Sequence, residues 1–294
     1  MSELCRAALV EAFASTPFEG NGAAVVLLKQ AADAAWMQAL AGSLNQSETA
    51  FLHRDASGQW RLRWFTPTCE VPLCGHATLA ATIALQHWQE LGPGDALSFA
   101  SRSGKLTVGL GASGSNSASI VLPSGPLEEM PPPEALSQQL GLPVQRYWAS
   151  ALGYRVALLD EQANLQGMEN PSAHLQGQDR QGLVVMQPTV SGSEELLGGC
   201  CDYQLRFFAT GLGIPEDPVT GSAHALVAPW WMEELQRPRV RGWQASARRG
   251  GMLCEREAPG LIRLTGTGQL LWDGQINASG QRCDPASWER SVHL

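Results

Sequence analysis

The chain has 294 residues, 44% of them hydrophobic and 16% charged, a balance that suits a compact globular protein with room for two domains and excludes a disordered one. Its net charge is −8 and it has no basic run, which argues against nucleic acid or an anionic membrane surface as a partner. Seven cysteines without a CxxC pair indicate neither a disulfide framework nor a zinc site, and a reducing cytoplasm is the expected compartment.

The first residues lack the charged start and apolar stretch of a secretory signal, and no apolar run approaches the roughly 18 residues of a spanning helix. A short apolar stretch at 7–13 leads through a Pro/Gly-rich turn to a buried strand over 23–28. Residues 33–44 have helical spacing, with Trp36, Met37, Leu40 and Leu44 on one face. The polar insert 45–48 ends that helix, and a strand follows over 49–53. Residues 59–65 alternate, with Trp60, Leu62 and Trp64 against Arg61 and Arg63, as a half-buried strand does. A helix with an almost wholly apolar first half is expected from Ala77 to Leu91, and a helix apolar all round belongs inside a core.

Short strands are expected over 97–100, 105–110 and 118–122. Residues 123–133 hold five prolines and read as a linker. A second cycle follows: a helix over 134–140, strands over 156–160, 182–186 and 203–208, and a second apolar helix over 223–235. Closing strands are expected over 250–254, 261–265 and 270–272, and then a polar tail. This pattern divides the chain into an N-terminal lobe (1–124), a C-terminal lobe (125–276) and a tail (277–294) able to pack back on the first lobe. The fold class is α+β, with two pseudo-symmetric lobes, each a barrel-like mixed sheet round a central apolar helix.

One motif occurs twice. Glu70-Val-Pro-Leu-Cys-Gly-His-Ala-Thr78 and Glu216-Asp-Pro-Val-Thr-Gly-Ser-Ala-His224 share Glu70/Glu216, Pro72/Pro218, Gly75/Gly221 and Ala77/Ala223 in one register, 146 residues apart. Each copy follows an aromatic run, Arg63-Trp64-Phe65 or Arg206-Phe207-Phe208, and precedes an alanine-rich segment. An offset of half the chain indicates duplication. A glycine opening a buried helix lets a ligand approach the unpaired N–H groups of the first turn, which attract carboxylate or phosphate. Two such starts facing one cleft would grip a small anionic substrate; the plainer reading makes both glycines turn residues.

Several side chains near these starts can carry chemistry. Glu48, in the polar insert, is either a solvated loop residue or a cleft carboxylate fit for acid–base work. His76 follows Gly75 and is either a proton carrier or a solvent-facing helix-start residue. Asp217 stands where the first copy has Val71, so it serves either a specific task or a turn. Cys74, before the first helix, is either a base of lowered pKa or a small buried residue, and its counterpart is Thr220. The remaining histidines form no metal spacing.

At these residues the sequence resembles the PhzF family of phenazine-biosynthesis isomerase-like proteins, within the diaminopimelate epimerase-like superfamily. The matching pieces are Phe18-Glu-Gly-Asn-Gly-Ala-Ala-Val-Val26, Ser47-Glu-Thr-Ala-Phe51, Phe65-Thr-Pro67 and both copies of the repeat. The resemblance implies a two-lobed fold, an active site between lobes that needs no cofactor or metal, and a homodimer. It implies Glu48 as general acid–base, His76 and Asp217 as supporting proton-transfer residues, and Gly75, Gly221 and Ser222 as binders of the substrate carboxylate. The reaction implied is a proton-shift isomerisation. Two alternatives stay open: an epimerase, racemase or dehydratase using Cys74, and a non-catalytic member that binds a metabolite or a protein. Gly22 departs from the proline frequent in relatives, and the tail beyond Asn277 carries no family motif.

Overall fold

The structure, a computed structural model, describes residues 4–112, 115–189 and 194–289. It divides into two units, residues 1–121 with 265–294, and residues 122–264.

The first unit begins with β1 (Leu4–Ala12), β2 (Asn21–Leu27), helix α1 (Ala34–Leu44), β3 (Glu48–Arg54), β4 (Trp60–Phe65) and β5 (Glu70–Val71). Helix α2 (Gly75–His87), β6 (Ala96–Ser101), β7 (Gly104–Leu110) and β8 (Ser117–Pro123) follow. Asp33 starts α1 by accepting the Trp36 N–H at 3.0 Å, and Asn45, at φ 51°, ends it in the left-handed conformation that asparagine tolerates. The β1–β2 pair is antiparallel, β2–β3 parallel, β3–β4 antiparallel, β4–β6 parallel, and β6–β7 and β7–β8 antiparallel. The chain's last strand, numbered β19 below, pairs with both β8 and β1, so these strands close into a ring. Helix α2 fills that ring: every residue from His76 to Leu85 is buried, which is why the segment carries no polar face.

The second unit contains β9 (Leu127–Glu129), α3 (Leu136–Leu140), β10 (Val144–Ser150), β11 (Arg155–Leu159), β12 (Leu183–Pro188) and the small hairpin β13 (Glu195–Leu196) and β14 (Gly199–Cys200). Then come β15 (Tyr203–Ala209), β16 (Ile214–Asp217), α4 (Gly221–Glu234), β17 (Arg239–Gln244) and β18 (Gly250–Ala258). The β10–β11 pair is antiparallel, β11–β12 parallel, β12–β15 antiparallel, β15–β17 parallel and β17–β18 antiparallel. That order of senses repeats β1–β2–β3–β4–β6–β7 step for step. The short strand before each central helix repeats too, β5 on β4 and β16 on β15. Both copies also hold the same bidentate pair. Arg63 meets Glu70 with two bonds of 2.8 Å, and Arg206 meets Glu216 with bonds of 2.8 and 2.7 Å.

Four expectations are corrected. Arg63, placed on the polar face of its strand, is only 2% exposed, because Glu70 neutralises it. The separate strands expected over 261–265 and 270–272 are one 17-residue strand, β19 (Leu261–Asn277). Gly266 and Gly268 continue it rather than break it, since a Cβ at either position would overlap the Phe13 ring or the Ile83 side chain. The domain limit expected after residue 276 falls after 264, because β19 pairs with β1 from Gly268 to Asn277. The proline-rich linker contains the ordered strand β9, paired with β10. Strands β10 and β17, absent from the sequence reading, supply central rungs of the second sheet.

The tail packs on the first unit. Trp288 is buried and donates its indole N–H to the Ala32 carbonyl at 2.8 Å, and Arg282 N–H donates to Asp33 Oδ2 at 3.0 Å. The expected tail segment beyond Glu289 lies outside the described residues. Among the described residues no helix is long and apolar enough to cross a membrane. A final short helix, α5 (Ala286–Glu289), carries Trp288.

Candidate active site

In the first unit, Cys74 is the residue before α2, with extended backbone and no side-chain capping bond. Gly75 is the first helical residue and His76 the second. The first helical bond runs from Thr78 N–H to Cys74 O, so the N–H groups ahead of it have no partner within the helix. Glu48 is the first residue of β3, not part of a loop insert, and the parallel register sets it beside Ala23 of β2. From there Glu48 Oε2 reaches His76 Nε2 at 3.1 Å, with both side chains largely buried. The Asn21 amide lies 3.3 Å from His76 Nδ1, and Ser47 Oγ lies 3.3 Å from Nε2 and donates to Asn21 Oδ1 or the Gly22 carbonyl. The Cys74 sulfur is 3.5 Å from His76 Nδ1.

These contacts set the charges. Burial works against a charged His76, but the Glu48 carboxylate and the hydrogen bonds with Cys74 and Glu48 outweigh it and hold the imidazole well above its ordinary 6.5. Burial pushes Glu48 up, and the His76 charge and hydrogen bonds from His76, Ser47 and Cys74 more than reverse that, leaving it below 4.5. The result is a buried imidazolium–carboxylate pair. Burial and the Glu48 charge push the Cys74 thiol up, so it stays protonated.

In the second unit, Asp217 ends β16, Thr220 precedes α4, and Gly221 and Ser222 are the first two helical residues. The Thr220 hydroxyl does not cap the helix. It donates to Asp217 Oδ2 at 2.6 Å. Ser222 Oγ lies 3.2 Å from the Tyr154 hydroxyl, whose pKa burial raises, so that phenol is neutral. Gln244, with no solvent exposure, accepts the Thr220 N–H at 2.7 Å and donates to the Asp217 carbonyl at 2.6 Å. Within the first turn of α4 the fully buried His224 meets the Tyr203 hydroxyl at 2.9 Å, and burial lowers its pKa to about 3, which keeps it neutral.

Each unit thus gathers its own share of the expected residues: Glu48, Gly75 and His76 in the first, and Asp217, Gly221 and Ser222 in the second. Asn21, Ser47, Tyr154 and Gln244 join them without having been singled out from sequence. The first two lie inside stretches that carry the family resemblance, whereas nothing local marks Tyr154 or Gln244. Among the described residues, Glu48, Cys74 and His76 are the group that could hold a metal ion, with donor atoms within 4.8 Å of one another. To do so His76 would have to release the proton it shares with Glu48, and Cys74 a thiol proton that burial retains.

A helix inside a mixed sheet, built twice with matching strand senses and with acid–base groups at the helix start, defines the racemase and epimerase class of fold. A hydroxyproline epimerase from Agrobacterium vitis shares this fold over 97% of the chain and 95% of its own, with a TM-score of 0.60 at 12% identity. The family is narrower than the fold. Residues 10–274 match the PhzC-PhzF family of phenazine biosynthesis-like proteins, and the chain belongs to it. An uncharacterized isomerase from Pseudomonas aeruginosa is 37% identical over 273 residues, spanning 92% of this chain and 97% of the relative. A second, from Halalkalibacterium halodurans, is 35% identical over 246 residues, spanning 83% and 88%. The crystal structure of a PhzF family protein from Enterococcus faecalis covers 93% of this chain and 99% of its own, with a TM-score of 0.80 and 30% identity.

Proposed function

We propose that the chain is a cofactor-independent isomerase of the PhzF type, moving a proton on a small carboxylate-bearing substrate. The observation that carries this reading is the buried Glu48–His76 pair at 3.1 Å, beside the glycine start of α2. Glu48, ionised, takes a proton from a substrate C–H bond. The electron pair left behind delocalises into neighbouring unsaturation, and a proton is returned at another carbon by Glu48 or through His76 or Asp217. Atoms and electrons balance within the substrate, so no oxidant or group donor enters. The family resemblance assigns Gly75 in the first unit, and Gly221 and the Ser222 hydroxyl in the second, to binding a substrate carboxylate, and the N–H groups of a helix start can stabilise charge that builds up. A homodimer is the assembly the family resemblance implies, and light scattering checks it.

The Cys74 alternative has less support, because the thiol is raised and its counterpart Thr220 already donates its hydroxyl to Asp217. The test is deuterium incorporation from D2O into a panel of cyclic and amino carboxylic acids, read by mass spectrometry for wild type, Glu48→Gln and Cys74→Ser. Exchange that Glu48→Gln abolishes and Cys74→Ser retains supports the isomerase. Exchange that survives Glu48→Gln but requires Cys74 overturns it in favour of an epimerase.

A further inference from the structure

We propose that Thr220 and Gln244 act as positioning residues for Asp217, a hydroxyl–amide clamp that sets the direction of its carboxylate. The proposal rests on the reading of Asp217 as a proton-transfer residue.

The geometry is a directed chain. The Gln244 side-chain Nε2 lies 3.3 Å from Thr220 Oγ1, and an amide N–H can only donate. Thr220 Oγ1 therefore turns its own proton to Asp217 Oδ2, 2.6 Å away. The same Nε2 donates to the Asp217 carbonyl, and Gln244 Oε1 takes the Thr220 N–H, so one amide ties both ends of the turn between β16 and α4. Ser246 Oγ lies 3.5 Å from that same carbonyl and closes the turn from a third side. Gln244 is fully buried on β17, where a polar side chain costs stability unless its bonds are made.

The duplication supplies a control. Aligned on the Arg63–Glu70 and Arg206–Glu216 pairs, the registers Arg61↔Ala100 and Gln204↔Trp243 place Ser101 opposite Gln244. The repeat itself places Val71 opposite Asp217 and Cys74 opposite Thr220. The first unit has neither a carboxylate nor an amide at these three places: Val71 is apolar, Cys74 offers a thiol, and the Ser101 hydroxyl donates to the Gly104 carbonyl instead. A clamp needed only to stabilise the turn would serve both copies; this one is present only where there is an acid to orient. Thr220 also forgoes helix capping, the usual task of a threonine at that position.

The test uses the full chain carrying Thr220→Val, Thr220→Ser, Gln244→Met or Asp217→Asn. Crystal structures need no substrate: with Thr220→Val or Gln244→Met the Asp217 carboxylate leaves its single orientation, and with Thr220→Ser it keeps it. In the exchange assay with the carboxylic acid panel, Thr220→Val and Gln244→Met lower kcat roughly 10- to 100-fold with KM within about twofold. Thr220→Ser restores the rate, which a fold-stability role of the methyl group would not predict. An Asp217 carboxylate that stays in place in both Thr220→Val and Gln244→Met overturns the clamp. Full exchange by Asp217→Asn sinks instead the role given to Asp217, leaving the crystallographic result to decide the clamp by itself.

Discussion

The start of α2 and the start of α4 occupy equivalent places in two copies of one sheet, yet they carry different chemistry. Aligning Phe65 with Phe208 through the registers Thr49↔Phe65 and Leu183↔Phe208 puts Gly182 where the first unit has Glu48. The registers Ala24↔Thr49 and Arg155↔Leu183 then put Tyr154 where it has Ala23. The helix position after the glycine is His76 in one copy and Ser222 in the other. So the first copy pairs a carboxylate with an imidazole, and the second pairs a hydroxyl at the imidazole's site with a phenol from the neighbouring strand, at the position equivalent to Ala23. Where Glu48 is lost the Tyr154 ring takes the room, and a Cβ on Gly182 would overlap that ring. Both copies keep the scaffold, namely the Arg–Glu pair, the glycine and the buried helix, and differ at the positions that face the helix start. An acid–base pair sits in one half and neutral hydroxyls beside a separate carboxylate in the other.

The comparison can be broken most forcefully at Glu48. Glu48→Gln is expected to lower deuterium exchange by roughly 10²- to 10⁴-fold, the usual loss of a general acid–base group. Exchange falling less than about threefold would remove the first half's claim to the chemistry. Gly182→Ala, at the position equivalent to Glu48, is expected to displace Tyr154 and to destabilise the fold by about 1–3 kcal/mol, as overpacking does. Chemical denaturation measures it, and an unchanged midpoint would show that the ring does not fill that space.

A finer test reads the charges. His76 is raised above 6.5 in the fold, so its part in stability is whole below 6.5 and fades as pH rises through the folded value. Glu48 is lowered below 4.5, so its part is whole above 4.5 and fades as pH falls through the folded value. The stability difference between wild type and Glu48→Gln should therefore be greatest between pH 4.5 and 6.5 and shrink on both sides. Urea unfolding at a series of pH values checks this, and a flat difference contradicts the ion pair. The smallest expected effect is spectroscopic. NMR titration of the His76 ring should move to lower pH in Glu48→Gln, while His224, which burial lowers from its ordinary 6.5 to about 3, should show no change above pH 5.

Much of the plan was legible in the linear chain. The repeat around Gly75 and Gly221 marked both helix starts, because a buried helix has to be apolar all round and its entry needs a residue without a side chain. The alternation from Trp60 to Phe65 and the spacing from Trp36 to Leu44 marked a strand and a helix for the same reason: burial on one face imposes a period. His76 stood out beside such an entry, Asp217 because its counterpart in the repeat is the apolar Val71, and Glu48 because it lies in a polar insert before an apolar strand.

Other features depended on partners remote in sequence. The union of 261–265 with 270–272 into β19 depended on Phe13 and Ile83, which make Gly266 and Gly268 necessary. Whether Arg63 faced water depended on Glu70 across the β4–β5 turn. Cys74 was open to two readings, base or small buried residue, and burial beside a carboxylate keeps its thiol protonated. Tyr154 and Gln244 carry no local signal, since what brings them to α4 is strand register. Composition and period determine which segments are buried and where helices begin, as these are properties of single segments. Charge state, register and the partners of a polar side chain are properties of pairs of segments, and only the tertiary structure decided them.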